Sequence, residues 1–219
     1  MSEFLLISPH LDDEVLGCGG ILDERFHVHY CGVDEFHIID REKRLKEAAA
    51  VADNFGFTYS VNLENKVNDS RIFDLIGELE EVINEHKPVT FFLPYPSYNQ
   101  DHRTILDAAM VALRPHDINH FVRNVLLYEE IQVSVWPYRE DILHGQTYNP
   151  NCYFPIDIDR KIKGYHLHAS QVRAMRSPEM LTALSKWRGV QSGFDYAEGY
   201  MAIKLCQPTH LVLGKDSQA

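Results

Sequence analysis

The sequence predicts an α/β fold, a Rossmann-like three-layer sandwich with a largely parallel sheet covered by helices on both sides. Short apolar runs alternate with longer segments that carry apolar residues at helical spacing, and this alternation is typical of βαβ units with right-handed crossovers. The run at 89–93 is apolar almost throughout, which favours a strand buried on both faces. We expect one domain spanning residues 1–219.

The first part of the chain is predicted to form strand–helix units. Phe4–Ser8 is a short apolar run, and a turn separates it from a helical segment at 14–25. Residues 27–33 alternate toward a second strand, and 40–55 carries alanine and apolar residues at helical spacing. Gly56 is expected to end that helix, because glycine readily takes the left-handed conformation found at helix C-termini.

The remaining elements continue the same alternation. Further strands are predicted at 58–63, 89–93 and 121–128, and further helices at 69–86, 101–113, 159–175 and 178–187. The segment from Val133 to Asn151 is less regular. We expect it to cover a pocket and to influence substrate selectivity, because irregular segments on a regular scaffold commonly carry function.

Composition and charge exclude several classes of protein. Apolar residues make up 45% of the chain and charged residues 24%, as in globular proteins. A net charge of -11 argues against a nucleic-acid partner, which needs a basic surface. The apolar run at the start, Phe4 to Ile7, is too short for a signal peptide or a membrane span. The four cysteines show no CxxC spacing, so we expect reduced thiols and a cytoplasmic protein.

Metal-binding residue types cluster in the loops after the first and fourth predicted strands. They are His10, Asp12, Asp13 and Glu14 in the first loop, and Asn99, Asp101 and His102 in the second. Because ligands bind at the carboxyl ends of strands in open α/β sheets, both loops are expected at the site. Two histidines and one carboxylate, with a fourth position open to water, match the donor set of catalytic zinc.

Each residue also has a plainer interpretation. Asp12 or Asp13 would cap the following helix, where a carboxylate satisfies free N–H groups. His102, one of 12 histidines, would be an ordinary core or surface residue. The metal site is favoured because both loops are predicted to meet at one edge of the sheet.

The motif SPHLDDEVLGCGG resembles the (A/S)PHPDDE…GxGG signature of the LmbE-like, or PIG-L, N-deacetylases. The likeness continues in order along most of the chain. Residues 44–47 with Gly56 resemble the family's RxxE…LG helix, 100–103 the end of its HPDHR, 168–171 its HxSQ and 196–200 its AE(A/G)F. This resemblance implies an LmbE-like fold and a zinc-dependent enzyme of the N-acetylglucosaminyl deacetylase type.

The resemblance also implies roles for individual residues. His10, Asp13 and His102 would hold Zn2+ or another divalent metal, and Asp12 would be the general base for attack of a zinc-bound water on the amide. Asp101 would orient a histidine or asparagine by hydrogen bonding. The implied partner is a small-molecule N-acetylated amino sugar or its conjugate, and the sequence leaves open whether the protein is a homo-oligomer.

One departure from the family pattern bears on proton transfer. Leu11 and Gln100 replace prolines that shape the loops, whereas Asn99 replaces the first histidine of HPDH. An asparagine amide donates a hydrogen bond to an oxyanion but does not shuttle protons near neutral pH. Our hypothesis is that Asn99 keeps the electrostatic role, with Asp12 handling the protons and His168 as a substitute acid.

Several further residues are candidates for the site, some on the same resemblance and two, Tyr98 and Tyr95, on their place close to prolines in the second loop. Arg44 matches the family's substrate-contacting arginine, and its alternative is an exposed ion pair with Glu47. Tyr98 and Tyr95 are candidates for the wall of a sugar pocket, although aromatic residues near strand ends often belong to the core. Glu198 is expected to serve either the site or a buried backbone amide.

Two other functions remain open at this stage. The family's metal-binding scaffold also resembles that of hydratases that add water to an unsaturated dicarboxylate. Because Asn99 replaces the usual histidine, hydration remains an alternative reaction. A non-catalytic, metal-stabilised binding protein is the third interpretation. The presence of Asp12, whose main use would be proton transfer, argues against it.

Overall fold

A computed structural model describes residues 3–33, 40–65, 71–114, 121–136 and 148–206. Within them the strands are β1 Phe4–Ser8, β2 Phe26–Tyr30, β3 Thr58–Val61, β4 Thr90–Pro94, β5 Asn124–Tyr128, β6 Cys152–Pro155 and β7 Ala197–Leu205. The helices are α1 Asp13–Cys18, α2 Arg41–Phe55, α3 Ile72–His86, α4 Gln100–Ala112, α5 Ile131–Val135, α6 Ile158–Tyr165 and α7 Pro178–Ser192. A 3-10 turn covers Ala169–Gln171.

The strands form one seven-stranded sheet in the order β3-β2-β1-β4-β5-β7-β6. Strands β1 to β5 are parallel, and β7 runs antiparallel to both β5 and β6. Apolar side chains pack on both faces: Phe4 and Leu6 belong to one core cluster, and Leu5 and Ile7 to the other. The predicted Rossmann-like sandwich with a largely parallel sheet is confirmed.

The position of β1 determines where the site lies. β1 pairs with β2 on one side and with β4 on the other, so the direction in which strands are added reverses between β1 and β4. The loops that follow these two strands therefore start side by side at the carboxyl edge of the sheet. This is the edge at which the sequence places both groups of metal-binding residues.

Local signals explain where several elements end. Gly56 ends α2 in the left-handed conformation, with φ of 87°, as predicted. Helix α1 ends at Cys18, so the prediction of a helix to residue 25 is wrong. Glycine is a weak helix former, and a Cβ on Gly20 would lie 2.3 Å from Ile156 Cγ2. The lack of a side chain at Gly20 lets the chain pack closely against Ile156.

The C-terminal half contains the larger corrections. Strands β6 and β7 were not predicted, and the predicted helix at 159–175 ends at Tyr165. The chain turns there because tertiary contacts hold the next segment: His168 bonds Glu14 of α1, and Ser170 bonds Glu47 of α2. The segment 137–147, most of the expected pocket cover, lies outside the described residues.

No helix among the described residues has the length and apolar character needed to cross a membrane.

Candidate metal centre

The loop after β1 brings a histidine and an aspartate together. Asp13 is the first residue of α1, and its Oδ2 lies 3.0 Å from His10 Nδ1 and accepts a hydrogen bond from the His10 backbone N–H at 2.9 Å. Both side chains are buried. Asp12 precedes the helix but makes no side-chain capping bond, so the plain capping interpretation of Asp12 is wrong.

The loop after β4 supplies the second histidine. Asn99 caps α4: its Oδ1 accepts a hydrogen bond from the Asp101 backbone N–H at 3.0 Å. The cap places Asp101 and His102 in the first turn of the helix, where both are buried. His102 Nε2 lies 3.5 Å from Asp13 Oδ2, and Asp101 Oδ2 lies 3.1 Å from His10 Nε2.

These contacts bring together the three predicted metal-binding side chains. Donor atoms of His10, Asp13 and His102 lie within 4.8 Å of one another. Both ring nitrogens of His102 are buried without a hydrogen-bond partner among the described residues, and nitrogen and carboxylate donors suit a divalent ion such as zinc. The residues therefore fit a metal.

The charge balance of the cluster points the same way. Burial by itself raises the pKa of the Asp13 carboxyl, but His10 and His102 outweigh burial and hold that pKa well below its ordinary value. Asp13 is thus kept as the carboxylate, the form in which it binds a metal.

Each histidine also contacts a carboxylate on its other side. Asp101 Oδ2 lies 3.1 Å from His10 Nε2, where a carboxylate would orient the ring. Glu130, directly after β5, places Oε1 3.3 Å from His102 Nδ1 and accepts a hydrogen bond from Gln132. Carboxylates in this position fix the orientation of metal-binding histidines.

Sequence reasoning missed Glu130. It is buried, and burial together with the charges of Asp13 and Asp12 raises its pKa well above the ordinary value. The signal that would have found it is the pair Glu129–Glu130 directly after an apolar strand, at the edge where the other two loops meet.

Asp12 lies beside the metal cluster between two arginines. Its Oδ2 accepts a hydrogen bond from Arg176 Nη1 at 2.7 Å, and its Oδ1 lies 3.6 Å from Arg44 Nη2. Arg44 is fully buried, so the alternative of an exposed pair with Glu47 is wrong. Arg176 was not predicted, because it lies in an irregular segment with no motif of its own.

His168 pairs with Glu14, the residue that follows the candidate metal ligand Asp13. It is fully buried, and its Nε2 lies 2.6 Å from Glu14 Oε1. Burial lowers the pKa of His168, but Glu14 outweighs burial and the net shift is upward. The structure thus ties His168 to the last residue of the SPHLDDE motif.

The other predicted site residues, Tyr98, Tyr95 and Glu198, differ in their surroundings. Tyr98 is 49% exposed, whereas Tyr95 is buried and packs edge-on against Tyr148. Glu198 accepts a hydrogen bond from the Gly20 backbone N–H at 2.8 Å and pairs with Lys161 Nζ at 2.6 Å. Glu198 therefore serves a buried backbone amide.

Comparison with known proteins gives one family match. The PIG-L family model, described as GlcNAc-PI de-N-acetylase, matches residues 5–113. Among curated proteins, none matches the chain.

Solved structures with the same fold are similar over nearly the whole chain. The conserved protein TT1542 from Thermus thermophilus has a TM-score of 0.74 at 21% identity, with 100% of both chains covered. GalB, the 4-carboxy-2-hydroxymuconate hydratase from Pseudomonas putida, has a TM-score of 0.70 at 19% identity and covers 93% of this chain and 96% of its own. The N,N'-diacetylchitobiose deacetylase from Pyrococcus horikoshii has a TM-score of 0.71 at 18% identity and covers 92% and 83%. At these identities the likeness establishes the fold alone.

Proposed function

The chain belongs to the PIG-L family, and from that premise we propose that it is a zinc-dependent deacetylase that removes an N-acetyl group from an amino-sugar-type small molecule. The observation that carries the proposal is the buried donor set of His10, Asp13 and His102 with the carboxylate of Asp12 beside it. We assign this activity to one domain covering residues 1–219. The described cysteines form no disulfide, in keeping with a cytoplasmic enzyme.

The metal would be held by His10, Asp13 and His102. Zinc, or another divalent ion, bound there would polarise the acetyl carbonyl and acidify the attacking water. Asp101 is hydrogen-bonded to His10, and Glu130 contacts His102. These two carboxylates would hold the imidazole rings in a fixed orientation.

Asp12 is the proposed general base. It would take the proton of the attacking water and pass it to the leaving amine. Arg176 and Arg44 each contact one oxygen of its carboxylate, and such charge-assisted contacts fix its orientation. A base held in this way is positioned before the substrate arrives.

Further residues are proposed to stabilise the oxyanion, to donate a proton and to contact the substrate. The Asn99 amide would donate to the amide oxygen of the substrate as it becomes negative. His168, bonded to Glu14, would act as the substitute acid only by a change of partner, so Asp12 is our first choice for both proton transfers. Tyr98, half exposed in the loop between β4 and α4, is the proposed sugar contact. Arg44 is proposed to bind the substrate in addition to its contact with Asp12.

Hydration of an unsaturated dicarboxylate is the second candidate. The observation that favours it is Asn99 at the position of the usual histidine, because hydration of a double bond needs no acid for an amine leaving group. The two arginines around Asp12 would suit a carboxylate substrate. The fold is also shared with a hydratase.

One experiment separates the two reactions. Metal-reconstituted protein is incubated with a panel of N-acetylated amino sugars, with acetate release as the readout, and with conjugated dicarboxylic acids, with loss of absorbance as the readout. We expect acetate from at least one amino sugar. Loss of absorbance without acetate would transfer the assignment to the hydratase.

The Asp12→Asn variant tests the role of the base. We expect it to lose about 10²- to 10⁴-fold in kcat while still binding one metal at the donor set. The matched control is Asp23→Asn, since Asp23 pairs with Arg25 away from the cluster. Full turnover by Asp12→Asn would show that Asp12 is not the base.

A further inference from the structure

A second group of metal-ligand side chains lies beside the site described above. We propose that His29, Cys31 and Glu78 form a separate, thiolate-containing site for a zinc-type divalent ion. Donor atoms of these three residues lie within 4.8 Å of one another. The inference is independent of the proposed deacetylase activity.

Two elements bring the three residues together. Side chains alternate along a strand, so His29 in β2 and Cys31, directly after it, point to the same face of the sheet. The Cys31 backbone N–H donates to the Ser8 carbonyl at 3.0 Å and so holds Cys31 at the end of β1. Glu78 comes from α3, which packs on this face through Leu75 and Leu79.

The outer atoms of two of the proposed ligands are already held. His29 Nδ1 lies 2.8 Å from Ser60 Oγ, and Glu78 Oε2 accepts a hydrogen bond from Asn62 Nδ2 at 2.9 Å. His29 Nε2 and Glu78 Oε1 consequently meet each other in a hydrogen bond of 2.6 Å, which a bound ion would replace. An outer partner for each ligand is the arrangement that positions the inner atom for a metal.

Cys31 completes the set with sulfur. Its side chain is 1% exposed and forms no disulfide. Burial raises the pKa of this thiol, and the charge of Glu78 raises it further, so metal binding there would release the thiol proton. A buried cysteine alone would be a small apolar residue; a histidine nitrogen and a carboxylate oxygen beside it make a zinc donor set.

A polar cavity reaches one of the three proposed ligands, Glu78. The cavity has a volume of about 370 Å³, and Glu78 is part of its wall. Glu64 and Asp74 also line it, against one arginine, Arg71, so the wall carries a net negative charge that would attract a cation. The neighbouring wall residue Asn65 donates from Nδ2 to the Cys31 carbonyl at 2.8 Å.

The two sites differ in donor chemistry, and this difference makes the proposal testable. The set of His10, Asp13 and His102 offers only nitrogen and oxygen, whereas the second set includes a thiolate. Co2+ bound by a thiolate shows a near-ultraviolet sulfur-to-cobalt charge-transfer band, which a site of nitrogen and oxygen donors lacks. Such a band therefore reports the second site alone.

The experiment is a Co2+ titration of the metal-free full-length protein, followed by absorbance. We expect the native chain to bind two ions and to develop the charge-transfer band. Cys31→Ser should bind one ion and show no band. Cys206→Ser is the matched control, because Cys206 is exposed, and it should behave like the native chain.

A second variant keeps the test decisive if Cys31→Ser fails to fold. Glu78→Gln retains every thiol and removes one donor oxygen, so the band should require Co2+ at a concentration at least about tenfold higher. No band in the native chain at excess Co2+, a band that survives in folded Cys31→Ser, or an unchanged Co2+ affinity in Glu78→Gln would each overturn the proposal.

Discussion

At the residue scale, the candidate metal centre consists of two histidines, each between a shared aspartate and a carboxylate of its own. His10 lies between Asp13 and Asp101, and His102 between Asp13 and Glu130. A neutral imidazole binds a metal through one nitrogen and donates through the other. The outer carboxylates therefore select the tautomer that leaves a lone pair directed at the cluster.

Glu130→Gln tests this arrangement. Gln is close to Glu in size but weakens the interaction with the His102 ring, so we expect metal affinity to fall about 10- to 100-fold. Competition with a chromophoric chelator measures the change. Glu80→Gln is the control, since it removes the same charge from a partly exposed pair with Arg114. Equal affinities of the two variants would show that Glu130 does not orient His102.

The residues of the site were predictable to different degrees. His10, Asp12 and Asp13 lie within four consecutive residues, and His102 lies in a second motif, so sequence patterns could single them out as candidates. Glu130 was marked only by its place after an apolar strand, whereas Arg176 reaches the site through folding alone, from the segment before α7. A contact made by distant segments leaves no periodicity or spacing in the sequence.

At the element scale, the ends of strands and helices position the chemistry. The cap by Asn99 fixes the first turn of α4 and with it Asp101 and His102. Sequence patterns predicted β1, β4 and β5 from their apolar runs, β2 from its alternating residues, and β3 from its place between helical segments. They missed β7, which begins Ala-Glu-Gly, because glutamate and glycine are depleted in strands and its place in the sheet comes from pairing with β5 and β6.

Substitutions of Asn99 separate its cap from its proposed contact with substrate. Asn99→Ala removes the cap and should lower the free energy of unfolding by about 1 kcal/mol, whereas Asn99→Ser retains a capping hydroxyl and should stay close to the native value. Denaturant unfolding measures both. If the Asn99 amide stabilises the oxyanion, kcat should fall about 10²- to 10³-fold in both variants. A native kcat in Asn99→Ser would show that Asn99 caps α4 and does not stabilise the oxyanion.

The start of β2 should make stability depend on pH. His27 is buried, contacts Thr58 and Ser60 through its two ring nitrogens and stacks on His86 at 3.7 Å. Burial, then the charges of His86 and His29, lower its pKa from 6.5 to about 3. Between these values the unfolded chain binds a proton that the folded chain does not, so stability decreases as pH falls below 6.5.

The expected contribution is about 1.4 kcal/mol per pH unit below that value, or about 2 kcal/mol on going from pH 7.5 to pH 5. His27→Gln should remove this part of the pH dependence in denaturant unfolding at the two pH values. His166→Gln, at an exposed position, is the control and should keep the native difference. The same pH dependence in His27→Gln as in the native chain would contradict the assignment.

At the scale of the whole molecule, the centre joins segments that are far apart in sequence. Its side chains come from the ends of β1, β4 and β5 and from the segment before α7, and they include the buried carboxylates of Asp12, Asp13, Asp101 and Glu130. In a chain of net charge -11, bringing carboxylates together in the interior costs free energy unless cations balance them. A bound divalent ion would supply that balance.

Removal of metal should therefore destabilise the whole fold. An ion that binds only the folded chain, at a free concentration 100 times its Kd, adds about 2.7 kcal/mol, which for a chain of this size raises Tm by about 5–11 °C. We expect a chelator to lower Tm by that amount and added Zn2+ to restore it. Asp13→Asn should show a smaller chelator effect, because it weakens the donor set while relieving part of the repulsion among the carboxylates. A native Tm that is the same with and without chelator, under conditions where the metal is shown to be removed, would mean that the centre is balanced by Arg44 and Arg176 alone.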